Sequence, residues 1–251
     1  MNIIGFASAK GGVGKTTFTV NIGAGLTIRG HRVLLIDFDP KEQVFVALGI
    51  KTKQASPHLF DLFEGHNTIQ DLIVEKDGIN IISLSCSMPQ GLYQMSFEDL
   101  QKNIERTVLS VLQNYDYVLV DIPAATHVSS QLACSFVHEI YSPIKMEFLD
   151  FMTIDGFRAF LHRVHENYNH TIALGGFIVN FFDSRKNLHH TLLHQIEKEY
   201  DVKVFSAFIR DNIALAEAPK YGQSIFDYKG ASFGAQDVMS LCIEIEEKHS
   251  R

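Results

Sequence analysis

One stretch, Ala9-Lys-Gly-Gly-Val-Gly-Lys-Thr-Thr17, constrains the fold of this chain more than any other. An apolar run (Ile3, Ile4, Phe6) precedes it and a helix-forming segment starts at Thr16, so strand, glycine loop and helix stand in register. Glycines at 11, 12 and 14, with Val13 between them, let backbone N–H groups close around phosphate oxygens, and the new helix turns its positive end toward them. Lys15 supplies a charge to β- and γ-phosphates, the Thr16 hydroxyl is placed to ligate Mg²⁺, and Thr17 completes the nucleotide-binding run. The strict G-x-x-x-x-G-K-[ST] pattern is broken at its first position, which is Ala9. An extra lysine, Lys10, stands directly before the glycine pair. Two cations this close repel unless an anion of high charge lies between them, so Lys10 also points to phosphate.

Apolar strand-like runs alternate with helical stretches along the chain, which predicts parallel strands joined by right-handed crossovers. Strands are expected at 2–7, 32–37, 79–84, 116–121, 137–143, 172–180 and 203–209. Helices are expected at 16–29, 97–114, 126–135, 153–168, 187–200, 211–219 and 233–248. Residues 51–78 are polar and read as a loop with one short helix. The runs 33–36 and 117–120 are apolar at every position, as strands covered on both faces must be. The fold class expected is α/β, a doubly wound and mostly parallel sheet flanked by helices. With 251 residues, 46% of them apolar, and no internal repeat or linker, residues 1–251 read as one domain.

No run approaches the roughly 18 apolar residues of a membrane span. The chain enters its first strand at once, which leaves no room for a signal peptide or an N-terminal helix-turn-helix domain. Three scattered cysteines (Cys86, Cys134, Cys242) argue for a reducing, cytoplasmic setting over a disulfide framework. A net charge of −7 disfavours DNA binding by the whole surface and leaves a local basic face open. Asp37 and Asp39 end one expected strand and Asp121 another, so three carboxylates converge on the loop at the strands' carboxyl ends.

Lys10-Gly-Gly-Val-Gly-Lys-Thr-Thr17 resembles the deviant Walker A motif of the ParA/MinD family of ATPases. Val33-Leu-Leu-Ile-Asp-Phe-Asp-Pro40 is similar to that family's second-strand motif, and Tyr115-Asp-Tyr-Val-Leu-Val-Asp-Ile-Pro123 to its Walker B strand. Phe182-Asp-Ser-Arg185 and Ala216-Glu-Ala-Pro-Lys-Tyr-Gly222 resemble signatures of the ParA/Soj branch, so the likeness covers nearly the whole chain in family order. The resemblance implies ATP and Mg²⁺ as ligands and a homodimer that forms with ATP, in which Lys10 reaches the partner's nucleotide. It makes Asp39 the residue that orients attacking water and, with Thr16 and Asp121, a member of the metal site. Asp121 would hold Mg²⁺ through a water molecule, whereas Asp37 is either catalytic or structural. Asn180 falls where relatives place an adenine-reading residue, and Arg210 and Asp211 fall where relatives cradle the base.

The resemblance further implies slow hydrolysis stimulated by a ParB-like or cargo-adaptor protein. It implies non-specific DNA binding at the nucleoid, with a plasmid, chromosome or protein body as cargo. Late-chain cations (Arg158, Arg163, Arg185, Lys186, Lys203, Arg210, Lys220, Lys229) are the expected DNA contacts. The chain departs from the branch at Asp211 and Ala214, where relatives carry arginines, and at Asp39-Pro-Lys-Glu-Gln43 and Asp121-Ile-Pro-Ala124. The alternative is a MinD-like spatial regulator of division or flagella on a membrane. An acidic C-terminal segment, Cys242-Ile-Glu-Ile-Glu-Glu-Lys-His-Ser-Arg251, disfavours that reading. A cluster carrier is disfavoured by the cysteine spacing. His190 and His194, at i and i+4 on one helix, have no evident third ligand.

Overall fold

The computed structural model of the chain describes residues 1–51, 62, 68–83, 96–124 and 128–250. Eight strands form one sheet in the order β3-β4-β2-β5-β1-β6-β7-β8. They are β1 (Asn2–Phe6), β2 (Val33–Asp37), β3 (Val74–Lys76), β4 (Ile79–Ser83), β5 (Tyr117–Asp121), β6 (Glu139–Lys145), β7 (Ala173–Phe182) and β8 (Ile209–Arg210). Every neighbouring pair is parallel except β3–β4. Helices α1 (Lys15–Ile28), α2 (Gln43–Ala47), α3 (Ile69–Leu72), α4 (Phe97–Leu112), α5 (Val128–Cys134) and α6 (Phe148–Phe151) come first. They are followed by α7 (Ile154–Asn167), α8 (Asn187–Glu199), α9 (Ile213–Glu217), α10 (Ile225–Lys229) and α11 (Phe233–His249). The doubly wound, mostly parallel α/β architecture expected from the sequence is the one observed.

Alternation of side chains across the sheet divides the core. Ile3, Leu34, Ile36, Val118 and Val120 bury one face together with Ile104 and Val108 of α4 and Phe157 and Leu161 of α7. Ile4, Phe6, Leu35, Tyr117 and Leu119 bury the other with Phe18 and Ile22 of α1 and Val238 and Leu241 of α11. All five residues of β2 and of β5 are buried, which only a strand covered on both faces requires. On the second face α1 and α11 approach so closely that a Cβ on Gly25 would lie 2.5 Å from Cys242 Sγ. Register then sets the site: Phe6 pairs with Asp121 and Asp37 pairs with Asp121, so β1, β5 and β2 end side by side.

Several expectations are corrected. The strand expected over 203–209 is reduced to a bridge between Val204 and Phe177 and to the two-residue β8. The segment 51–78 contains strand β3, turned back onto β4 through Asp77 and Gly78, whose φ angles are 51° and 77°. Left-handed backbone at both turn residues is the type I′ geometry of a two-residue hairpin. Helices α2, α6 and α10 were not anticipated; each has four or five residues, too short for periodicity to register. Cys86 and the ends of the segments expected at 79–84 and 126–135 fall outside the described residues.

Candidate functional site

The glycine loop leaves the sheet at Phe6 and enters α1 at Lys15, with Gly12 (φ 71°) and Gly14 (φ 108°) in left-handed backbone that a side chain would strain. Lys15 folds back over this loop: its ammonium donates to the Lys10 carbonyl at 3.0 Å and to Ser8 Oγ at 3.4 Å. Burial pulls the Lys15 pKa down, against the opposing charges of Asp121 and Asp39. A cation held in a partly dry loop by neutral oxygens is poised to exchange them for an anion.

Beside it the Thr16 hydroxyl donates to Asp121 Oδ2 at 2.6 Å, while Asp121 Oδ1 is buried with no hydrogen-bond partner. Burial raises the Asp121 pKa to about 7, partly offset by the Thr16 hydroxyl and the charge of Lys15. Among the described residues no group of three or more His, Cys, Asp or Glu side chains is placed to hold a metal. A hydroxyl beside a carboxylate oxygen without a partner nevertheless fits a hard cation that completes its shell with phosphate oxygens and water, the habit of Mg²⁺.

The two other carboxylates differ. Asp37 is fully buried and both its oxygens accept backbone N–H groups, from Asp39 at 2.9 Å and Val44 at 2.8 Å. It thus ties the end of β2 to the start of α2, and burial followed by the charge of Asp121 drives its pKa well up. Asp39 is half-buried, and among the described residues its side chain accepts the Lys41 N–H alone, at 2.9 Å through Oδ1, an Asx turn that leaves Oδ2 available to water.

A groove of about 650 Å³ joins these parts, lined by Gly12, Gly14, Lys15, Thr16, Asp39 and Asn180 among others. Arg210 and Asp211 form its outer wall. Arg210 is held by paired bonds to Asp237 (2.6 and 2.9 Å) and lies over the Phe233 ring at 4.4 Å. Asp211 is exposed. Asn180 is buried, with its amide against the loop: Nδ2 donates to the Val13 carbonyl at 2.8 Å and Oδ1 accepts the Phe181 N–H at 2.9 Å. Gly12, Gly14, Lys15, Thr16, Asp39, Asn180, Arg210 and Asp211 therefore share one cavity, whereas Lys10 and Val13 line another and Asp121 meets the site through the Thr16 hydroxyl.

Lys10 stands apart from the groove. Its ammonium is ion-paired with Asp150 of α6, in a crevice on the other side of the loop. Asp150 is 4% exposed and its second oxygen, Oδ2, is buried without a partner. Sequence reading missed Asp150, because a lone acid inside an unrecognised four-residue helix carries no spacing signal. It also missed Asn21, whose Nδ2 donates to the Thr17 carbonyl at 2.7 Å and whose Oδ1 accepts the Ile225 N–H at 2.7 Å, pinning α10 to the start of α1. A polar residue mid-helix in an otherwise apolar stretch was the available clue.

Known proteins resemble this chain over nearly its whole length. An AAA domain family model matches residues 1–174. The chromosome-partitioning ATPase Soj of Treponema pallidum is 27% identical over 243 residues, covering 96% of this chain and 95% of Soj. The chromosome partitioning protein ParA of Caulobacter vibrioides is 26% identical, covering 98% of this chain and 94% of that protein. Among solved structures, cobyrinic acid a,c-diamide synthase from Mycobacterium smegmatis, with a bound ATP analogue and magnesium, superposes with a TM-score of 0.83. It shares 22% identity, and the match covers 100% of this chain and 97% of that one.

Proposed function

The chain belongs to the ParA/MinD family of ATPases, and from that premise we propose that it is a partition-type ATPase working as an ATP-dependent sandwich dimer. ATP and Mg²⁺ occupy the groove, with the loop amides and Lys15 on the phosphates and Thr16 and Asp121 at the cation. Asp39 Oδ2 orients the attacking water. Asp37 is committed to backbone, which leaves Asp39 to position the water, so hydrolysis is slow and a partner protein accelerates it. The ATP-bound dimer binds DNA of any sequence, cargo carries the activator, and the resulting gradient positions that cargo. Residues 1–251 act in this as one unit.

The observation that carries this reading is the opposed placement of the two lysines. Lys15 lies in the groove, whereas Lys10, five positions earlier in the same loop, turns away from it toward Asp150. A lysine that does not serve its own cavity is available to a second copy's. DNA is favoured over a membrane because α11 spends its apolar residues Val238, Leu241, Cys242 and Ile245 on the core. No helix among the described residues is long and apolar enough to cross a membrane. Titration with a fluorescent ATP analogue tests the nucleotide site. Lys15→Ala is expected to abolish binding, since the phosphates lose their main cation; unchanged affinity would end the reading.

A further inference from the structure

Lys76 lies outside the groove and bears on it from behind. It closes β3, whose partner β4 pairs with β2, so the hairpin is anchored on the strand that leads to Asp39. Its half-buried side chain donates to two backbone carbonyls, that of Leu48 at the end of α2 and that of Gly222 at 2.7 Å. Those carbonyls belong to the two walls of the nucleotide groove. Asp39, Lys41 and Gln43 form one wall, which runs on through α2 to Leu48. Ile213, Leu215 and Ala216 form the other, which runs on through the 3-10 turn Ala218–Tyr221 to Gly222.

Where the walls end, their backbones touch: a Cβ on Gly222 would stand 2.8 Å from Gly49 Cα. In front of that contact they part around a cleft of about 260 Å³. The cleft shares Thr17, Lys41 and Gln43 with the groove and reaches Ala47, Pro219 and Gln223 near Lys76's two carbonyls. Other bonds tie the first wall to the sheet, since Asp37 accepts the Val44 N–H and Ser83 Oγ donates to Glu42 at 2.9 Å. Lys76 differs in holding the second wall as well. A helix of five residues does not keep its own geometry, so what α2 is bonded to sets its place. An ammonium, with three donors and no acceptor, suits a bond to two carbonyls at once.

We propose that Lys76 is a positioning residue for hydrolysis: by bonding both carbonyls it fixes the spacing of the two walls. A nucleotide seated against one wall thereby sets Asp39, on the other, for the attacking water. Lys76 does not line the groove, so it acts through the backbone it holds. The assignment rests on the nucleotide-site reading above and concerns the step after binding.

Single-turnover hydrolysis of radiolabelled ATP with Mg²⁺ tests it in wild type, Lys76→Met and Lys76→Arg. Calorimetry with a non-hydrolysable ATP analogue gives the affinity of each. Methionine keeps an apolar stem and removes the donors, whereas arginine keeps donors for both carbonyls. Lys76→Met should slow hydrolysis roughly three- to tenfold, the size of a lost hydrogen bond, with affinity within about twofold of wild type. Lys76→Arg should recover most of the rate. An unchanged rate in Lys76→Met, a loss of affinity equal to the loss of rate, or no recovery with arginine would overturn the assignment. If Lys76→Met does not fold, hydrogen exchange on wild type decides. With the analogue and Mg²⁺, residues 39–48 and 212–222 should gain protection together, and protection of one segment without the other overturns the assignment. Wild type that binds no nucleotide overturns the nucleotide site itself, a result distinct from failure of Lys76 to position it.

Discussion

Asp121 concentrates the physical tension of the site in one carboxylate. Its pKa is raised by burial to about 7, so between the unfolded value near 3.8 and about 7 the folded state keeps a proton that the unfolded chain releases. The stabilisation present below that window is lost as pH rises through it, by an amount on the order of 4 kcal/mol at most. Without nucleotide or Mg²⁺, Asp121→Asn should gain stability relative to wild type as pH is raised from 4 to 8, measured as the difference between their urea midpoints. A difference that does not change with pH would mean the carboxylate is ionised throughout. Asp39 gives a contrasting expectation. Asp39→Ala should retain ATP affinity and lose hydrolysis, leaving ATP-bound protein to accumulate in a phosphate-release assay. Asp150 gives a third: Asp150→Asn removes the carboxylate that competes for Lys10. Discounted for the partial exposure of Lys10, that ion pair contributes about 1 kcal/mol, so the ATP concentration needed for association should fall about fivefold.

At the scale of elements, what the sequence made legible depended on length and on how many residues repeat a signal. The apolar blocks of β2 and β5 and the helices α1, α4, α7, α8 and α11 could be read because many residues agree. The glycine loop could be read because its chemistry demands fixed spacings. Helix α2 could not, since its N-terminus is tied by Asp37, a residue of the preceding strand, rather than by a local cap. The hairpin β3–β4 could have been: Asp77-Gly78 is a strong two-residue turn signal, overlooked inside a polar stretch. Asn180 shows the limit from the other side, because its position was marked by family order while its bond to Val13, 167 residues away, is written nowhere local. The α1–α11 contact supplies the prediction at this scale. Gly25→Ala drives a methyl into Cys242 Sγ and should lower stability by about 1–3 kcal/mol in urea unfolding. Adding Cys242→Ala should recover part of that loss, whereas additive losses would show that the helices move apart instead.

For the molecule as a whole, the sheet places the parts of the site at the carboxyl ends of its strands, and the open question is what meets that face. Lys10 is the residue whose position bears on it most, being held by Asp150 on the side of the loop away from its own groove. If it serves a second copy's phosphate, dimer formation needs ATP and needs Lys10, while nucleotide binding by one chain needs only Lys15. DNA binding should follow the dimer, be indifferent to sequence and weaken steeply with salt. Light scattering on a size-exclusion column, run with ATP and Mg²⁺, with ADP and Mg²⁺, and with Lys10→Ala in ATP and Mg²⁺, tests this most directly. The account predicts twice the monomer mass in the first case and monomer in the other two, with Lys10→Ala still binding ATP. A Lys10→Ala protein that dimerises like wild type, or a wild type that remains monomeric with ATP, would contradict it.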